Sequence, residues 1–452
     1  MKKSVAILLF LFGFLTNQAQ CWQKVYSKGN FCLAIQSDGT LWGWGVNTSG
    51  ELGDGTEVNR IIPTQSGTSN DWAMVGCGYN HTIAVRTNGT LWAWGFNDYG
   101  ELGDNTFITR LNAVQIDTDT NWIQVDAGGS FSMGIKSDGT RWAWGNNFFN
   151  QFGSGTTTDS FIPTQIGTEI SWSKIACGGE HVIALKIDGT LWAWGRNTFG
   201  QLGDGTGVSK SSPVQIGTAS DWIQIDAGSN YSAALKSDGT LWTWGLNSSG
   251  QLGINNLSNK NTPQLVNSIV PWSTFSTGTL SCYGTKTDGT LWSWGQNTFG
   301  QLGNGTSTNS TIPLQIGNDT NWQSTAAGGF NCLAIKNDNT VYAWGNNAGG
   351  QVGDGTMVDR NTPVFLNGCP LNIDIYDSES ILLFSPNPVH NELFFLSSEL
   401  IEKIEVYDLT GKSLFTKNDF FSSVNVQFLK SGLYLMIVNT NRNHYQIKFI
   451  KS

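Results

Sequence analysis

One short stretch, returning at a fixed interval, limits what this chain can fold into. Asp38-Gly-Thr-Leu-Trp-Gly-Trp-Gly45 recurs in variant form from Asn88, Asp138, Asp188, Asp238, Asp288 and Asp338, each copy displaced by 50 residues from the last. A unit of this size cannot bury its own apolar face. A regular array of such units must therefore stack neighbour on neighbour into one continuous structure.

The second unit shows the local pattern. Asp71-Trp-Ala-Met-Val75 reads as a short strand running into Gly76-Cys-Gly78, and His81-Thr-Ile-Ala-Val85 as a second. Asn88-Gly89 reads as a two-residue type I′ hairpin turn, because both residue types tolerate positive φ. Thr90 to Trp94 is a third strand, followed by the loop Asn97 to Gly103 and an extended piece near Ala113 to Ile116. Four short strands per unit predict one propeller blade, and seven units fill residues 22–371. Within the third strand, Trp92 and Trp94 share a face and flank the small Ala93. This alternation predicts stacked sheets in which each Trp enters the space left by a small residue of the next blade. Burying one such ring is worth roughly 4–6 kcal/mol as an upper estimate, so these Trp read as core.

Several chemistries are excluded by what the units lack. Leu52-Gly-Asp-Gly-Thr56 has no Lys and no following helix, so it is not a phosphate loop. One Asp per loop (Asp54, Asp104, Asp204, Asp354) is too few oxygen ligands for calcium and reads as an Asx turn. The seven Cys include no CxxC, and those sharing repeat positions (Cys32, Cys282 and Cys332; Cys77 and Cys177) read as small packing residues, with a bridge such as Cys282–Cys332 left open. No metal or cofactor is expected. A net charge of −9 without a run of Lys and Arg argues against nucleic acid as a partner. His81 and His181 are repeat-equivalent and read as blade residues rather than catalysts. Function is therefore sought where copies differ or carry exposed rings. The candidate binding residues are Tyr99, Phe148, Phe149, Glu180, Arg196, Phe199, Phe299 and Phe330, with no catalytic set among them.

The ends of the chain read as export signals. Lys2 and Lys3 precede an apolar run, Val5 to Leu15, and Asn17-Gln-Ala19 offers a cleavage site, so 1–20 reads as a signal peptide. The run is too short for a comfortable membrane span, and none is expected in the mature chain. All 20 Trp lie between Trp22 and Trp344. Beyond 371 the composition changes, with a polar linker at 372–382 and short alternating strands at 383–452. These predict a small immunoglobulin-like β-sandwich.

The array resembles the repeat of the regulator of chromosome condensation family at Gly178-Gly-Glu-His181, Asp188-Gly-Thr-Leu-Trp192, Trp194-Gly195 and Asn197-Thr-Phe-Gly-Gln-Leu-Gly203. The resemblance implies a seven-bladed propeller closed by bringing the chain ends together. Departures include Arg141, Tyr342 and Asn339. The founding member's nucleotide exchange activity depends on an inserted wedge, for which units of 50 residues leave no room. A secreted inhibitor of β-lactamases shares the fold and acts through loops on one face. The tail, with Pro386-Asn-Pro388, Tyr407-Asp-Leu-Thr-Gly-Lys412 and Gly432-Leu-Tyr434, resembles the sorting domain of the type IX secretion system of Bacteroidetes. That resemblance implies handling by the secretion machinery through 383–452 and a secreted or outer-membrane surface location. The expectation is an exported, non-enzymatic propeller engaging a protein or a glycan. A secreted hydrolase inhibitor, or a hydrolase with its site over the channel, are the alternatives.

Overall fold

The computed structural model describes residues 22–366 and, of the C-terminal part, 382–451 apart from 386–387, 390, 398–399, 409–410, 419–422 and 442–443. The expected signal peptide, nearly all of the expected linker, and Cys21, Cys369 and His390 lie outside the described residues. The chain divides into two compact units.

The first unit consists of seven antiparallel four-stranded sheets, each built from consecutive strands. These blades span 22–65, 72–115, 122–165, 172–215, 222–266, 272–315 and 322–366, and are numbered 1 to 7 in that order. Blade 2 runs Trp72–Cys77 (inner), His81–Arg86, Leu91–Gly95 and Arg110–Gln115 (outer). Because the strands alternate in direction, the turn after the inner strand and the long loop before the outer strand emerge at one end of the propeller. We call this the loop end. The Asp-Gly hairpins emerge at the other, the hairpin end.

The hairpin differs from the expected type I′ turn. Gly89 N–H donates to Arg86 O (2.9 Å) and Arg86 N–H to Thr90 O (3.1 Å). Gly89 takes φ +79°, whereas Asn88 is not among the positive-φ residues. The connection is thus a three-residue loop, one longer than expected, closed by a left-handed Gly as in a G1 bulge. The Asn88 side chain instead accepts from Thr90 N–H and Oγ1–H. Among the described residues the non-Gly residues with positive φ are Asn105, Asn150, Asn255 and Asn339, each standing where other units carry Gly. Asn is the residue that enters this region at least cost after Gly.

The Trp pair divides its work, which corrects the expected interlock. Trp44, Trp94, Trp144, Trp194, Trp244, Trp294 and Trp344 are fully buried, and each packs on the preceding blade rather than the next. Trp144 joins Ala93 and Leu102 of blade 2, and Trp94 Nε1–H donates to Glu51 O of blade 1 (2.8 Å). The first ring of each pair, Tyr342 in blade 7 and Trp elsewhere, is half-buried, and in blades 1 to 5 and 7 it leans edge-on against its own blade's inner-strand Trp, as Trp92 does on Trp72 (6.1 Å). The ring closes by the same contacts, without a shared blade. Trp44 Nε1–H donates to Gln351 O (3.0 Å) and Gly355 N–H to Ile61 O (2.9 Å). The five described Cys, including Cys282 and Cys332, are free and buried.

The C-terminal unit pairs a three-stranded sheet (Leu382–Ser385, Glu392–Ser397, Ser423–Asn425) with a four-stranded one (Ser413–Asn418, Ile401–Tyr407, Gly432–Thr440, His444–Lys451). Leu393 and Val424 from one sheet meet Ile404, Val406, Val438 and Phe449 from the other in a single core, which makes a small sandwich. The Tyr407 to Lys412 motif is a hairpin, with Gly411 N–H donating to Asp408 O (3.1 Å) and Gly411 at φ +85°. Among the described residues no helix is long and apolar enough to cross a membrane.

Candidate functional site

The loop end brings together residues far apart in sequence. Its innermost ring is the turn after each inner strand. Lys28 stands there where six units carry Gly. Its ammonium donates to Ala127 O of blade 3 (2.8 Å) and to Cys177 O of blade 4, and pairs with Asp126 (3.8 Å). Lys28 and Asp126 keep 14% and 23% of their side-chain surface, because a cavity of about 200 Å³ runs along the inner strands. Burial alone would push the Lys28 ammonium down, but the Asp126 and Asp226 carboxylates outweigh it and hold it above its ordinary value. Burial pushes both carboxyls up, against the pull of Lys28. Beside Lys28, Tyr79 of blade 2 reaches across to Ser229 of blade 5 (2.6 Å).

The axial carboxylates are already engaged. An inner strand is a sheet edge, and its outward N–H and C=O groups need partners. Gln124 and Asp126 supply them for blade 4. The Gln124 amide donates to Ile175 O (3.0 Å) and accepts from Ile175 N–H (3.1 Å), while Asp126 Oδ2 accepts from Cys177 N–H (2.7 Å). Gln224 and Asp226 do the same for blade 6, at Phe275 O (2.8 Å) and Thr277 N–H (2.7 Å).

Two His–Ser pairs resemble nucleophile and base only by distance. His81 Nε2 lies 2.9 Å from Ser132 Oγ, and His181 Nε2 2.9 Å from Ser232 Oγ. Each hydroxyl donates onward to a carbonyl, Glu101 O or Gln201 O (2.8 Å). It must therefore accept from the imidazole, the reverse of activation. Burial pushes both imidazoles down to about 3, so they stay neutral. Among the described residues no group of three His, Cys, Asp or Glu is placed to hold a metal ion.

Farther from the axis, several of the expected binding residues meet. Arg196 pairs with Glu180 of its own blade, and its guanidinium lies 4.9 Å from the Phe149 ring of blade 3. Phe149 packs edge-on against Phe148 (4.9 Å), which is 69% exposed. The turn holding Glu180 and the loop holding Arg196 leave the same end, joined by Arg196 N–H donating to Glu180 O (2.9 Å). On the far side, Phe299 packs on Phe330 (5.5 Å). Phe199 is half-buried in its own loop, its N–H on Gln201 Oε1 (2.9 Å). Tyr99 stands exposed on blade 2. Among the described propeller residues the exposed aromatic side chains are Tyr99, Phe107, Phe148 and Phe161, all in blades 2 and 3.

The sequence reading missed Lys28, Tyr79, Asp126, Asp226, Phe107 and Phe161. The signal was present in each case: every one stands where most sister units carry a small or polar residue.

These features define a seven-bladed β-propeller whose differences between units gather on one end, joined to a separate small β-sandwich. Residues 12–282 and 168–383 match the family model of the RCC1-like domain, and the chain belongs to this family. Residues 384–452 match the secretion system C-terminal sorting domain. The tail marks the protein for export by type IX secretion, to the cell surface or beyond it. Similar solved structures include human WBSCR16 (21% identity, TM-score 0.67, covering 72% of this chain and 93% of that one). Prp20p from Saccharomyces cerevisiae, studied with its binding to Gsp1p and histones, is another (21%, 0.65, covering 77% and 87%). So is yeast RCC1 (Prp20) with Kap60 bound (21%, 0.65, covering 81% and 89%). At this identity the likeness is one of fold. A comparison with curated proteins finds no match.

Proposed function

We propose that this is an exported binding protein without catalytic activity, engaging a protein or a glycan through the loop end where blades 3 and 4 meet. The observation that carries this reading is Arg196, held between Glu180 and Phe149 beside the exposed Phe148 ring. A guanidinium and a ring already held against each other lose little freedom on binding, and Arg and aromatic residues are the side chains that anchor interfaces. The engaged axial carboxylates and the reversed His–Ser pairs support a role without turnover. Inhibition of a hydrolase is one form such binding can take. What Prp20p binds is not carried over, since the likeness is of fold alone.

The test is capture of extracellular proteins and a glycan array, read with wild type and with a Phe148→Ala/Arg196→Ala double variant. A ligand retained by wild type and lost by the variant at unchanged melting temperature is expected. Turnover of a polysaccharide or peptide library, abolished by Asp126→Asn or Asp226→Asn, would overturn the non-enzymatic reading.

A further inference from the structure

The outer rim of the loop end is most apolar across three consecutive junctions; elsewhere on it the exposed apolar side chains at the same positions are Val208, Leu257 and Ile312. Each blade's long loop hydrogen-bonds to the outer strand of the next: Gly355 N–H to Ile61 O, Gly55 N–H to Leu111 O and Asn105 N–H to Phe161 O, all 2.9 Å. Loop and strand residues therefore form one surface at every junction. Where blade 7 meets blade 1, that surface shows Met357, Val358 and Ile62, each more than half exposed. Where blade 1 meets blade 2 it shows Val58. Where blade 2 meets blade 3 it shows Phe107, Ile108, Phe161 and Ile162, with the two rings 4.6 Å apart. At the junction of blades 3 and 4 the equivalent residues are Thr157, Thr158, Ser211 and Ser212. At the junction of blades 6 and 7 they are Ser307, Thr308, Asn361 and Thr362. The same backbone accepts polar residues at these positions, so the fold does not require the apolar ones.

We propose that this apolar arc, across blades 7, 1, 2 and 3, is a self-association surface whose occupant is a second copy of the chain. Two observations favour a copy over a charged partner. The first is charge. The basic residues of the arc are each locked to an acid in their own loop: Arg60 to Asp54 (2.6 Å), Arg110 to Asp104 (2.7 Å) and Arg360 to Asp354 (2.6 Å). The arc thus carries little free charge, and two copies can meet there although each chain carries −9 overall. Glu57 and Asp359, the latter beside Val358, are the exposed acids that interrupt it. The second is area. Two rings of about 150–250 Å² and six smaller apolar side chains, roughly half exposed, together present on the order of 700 Å² over the three junctions. One partner's share of a standard interface is about 800 Å², while the largest patch on a typical monomer is about 300–600 Å². A two-fold pairing uses one patch twice and closes, so it yields a dimer rather than a filament. This inference stands apart from whatever the Phe148–Arg196 cluster binds.

Sedimentation of the protein as exported, over a concentration series, tests it. Wild type is expected to dimerise in the micromolar range. Phe107→Thr/Ile108→Thr/Phe161→Ser, which copies Thr157, Thr158 and Ser211, is expected to raise the dissociation constant at least about tenfold. Val208→Thr/Leu257→Ser, outside the arc, should leave it unchanged. If the triple variant melts early, Ile62→Asn/Met357→Ser/Val358→Thr, copying Asn112, Ser307 and Thr308, makes the same test at the other end of the arc. A wild type that stays monomeric throughout the micromolar range overturns the proposal. So does a dimer that a folded arc variant leaves intact.

Discussion

The two ends of the propeller are made from the same repeat and have different characters. At the hairpin end the units agree. A cation closing the second strand lies over the half-buried aromatic ring of its own blade: Arg86 over Trp92 at 3.7 Å, Lys186 over Trp192 at 3.5 Å, Lys286 over Trp292 at 3.5 Å. Nearby acids complete the arrangement, as Glu169 does for Lys186 (2.6 Å) and Asp319 for Lys336 (2.6 Å). Blades 1 and 6 are the exceptions, and blade 1 carries Gln36 in place of the cation. In blade 6, Ile269 and Pro271 stand where the acids would be, and burial pushes the Lys286 ammonium below its ordinary value. At the loop end the units disagree, and Lys28, Tyr79, Phe148, Glu180 and Arg196 each interrupt the pattern. Agreement among copies marks groups whose partners are supplied within the array. Disagreement marks groups whose partners are local to one place on the ring or lie outside the molecule.

The hardest way to break the comparison is at the hairpin end. Trp172 is 2% exposed and packs edge-on against Trp192 (6.1 Å) and Trp194 (5.7 Å). Trp172→Ala should cost about 3–5 kcal/mol, from lost transfer and the cavity left behind. Denaturant unfolding of variant and wild type measures it. A loss below about 1 kcal/mol would mean that blade 4 closes over the gap and that the uniform end is not the stabilising one.

A second prediction sharpens the contrast by exposing a misfit at the loop end. In most units Asn-x-x-Gly is followed by Gln; here Glu51 and Glu101 take that place in blades 1 and 2. Glu101 Oε2 accepts from Tyr99 N–H (2.8 Å), as Gln201 Oε1 does from Phe199 N–H, and Glu101 Oε1, like Gln201 Nε2, is buried without a partner, so the difference between them is the ionisable group. Burial pushes the Glu101 carboxyl up to about 7. The folded state therefore holds a proton that the unfolded chain releases near its ordinary value of 4.5. Stability is unaffected below that value, falls as pH rises toward 7, and carries the full cost above it. Glu101→Gln should give no gain at pH 4 and a gain on the order of 3 kcal/mol at pH 8. Melting midpoints across that range measure it, and a gain independent of pH would refute the assignment to a buried acid.

How far the sequence could be read follows from the same contrast. The period made the blades and the buried Trp legible, because each rests on contacts repeated seven times, while the tail was legible from the end of the period and the loss of Trp beyond 344. The hairpin was misread because Asn-Gly permits two left-handed residues, while the strand register here requires only one, at Gly89. That Glu180 and Arg196 share an end follows from strand alternation alone and was open to the sequence. That the Arg196 guanidinium meets Phe149 was not, since it depends on the distance between neighbouring blades. Lys28 escaped notice because glycine positions are read for backbone freedom. Its side chain contacts blades 3 and 4, over ninety residues away, which local pattern does not encode.

The smallest effect on stability is expected at the residue most exposed in the candidate site. Phe148 is 69% exposed, and its ring contact is with Phe149 (4.9 Å). Phe148→Ala removes little that folding had taken from water, so unfolding should move by no more than about 0.5 kcal/mol. Arg196 should stay seated, because its contacts with Glu180 and Phe149 do not pass through Phe148. Binding should respond differently. A ring that touches one neighbour when free can be enclosed by a ligand, and exposed aromatic side chains that become buried commonly carry more than 1 kcal/mol of an interface. Unfolding and ligand capture measured on the same variant separate the two. Stability held with capture lost places Phe148 among groups whose partner lies outside the molecule. A stability loss above about 1 kcal/mol, or capture unaffected, would return the ring to the scaffold and erase the distinction drawn between the two ends.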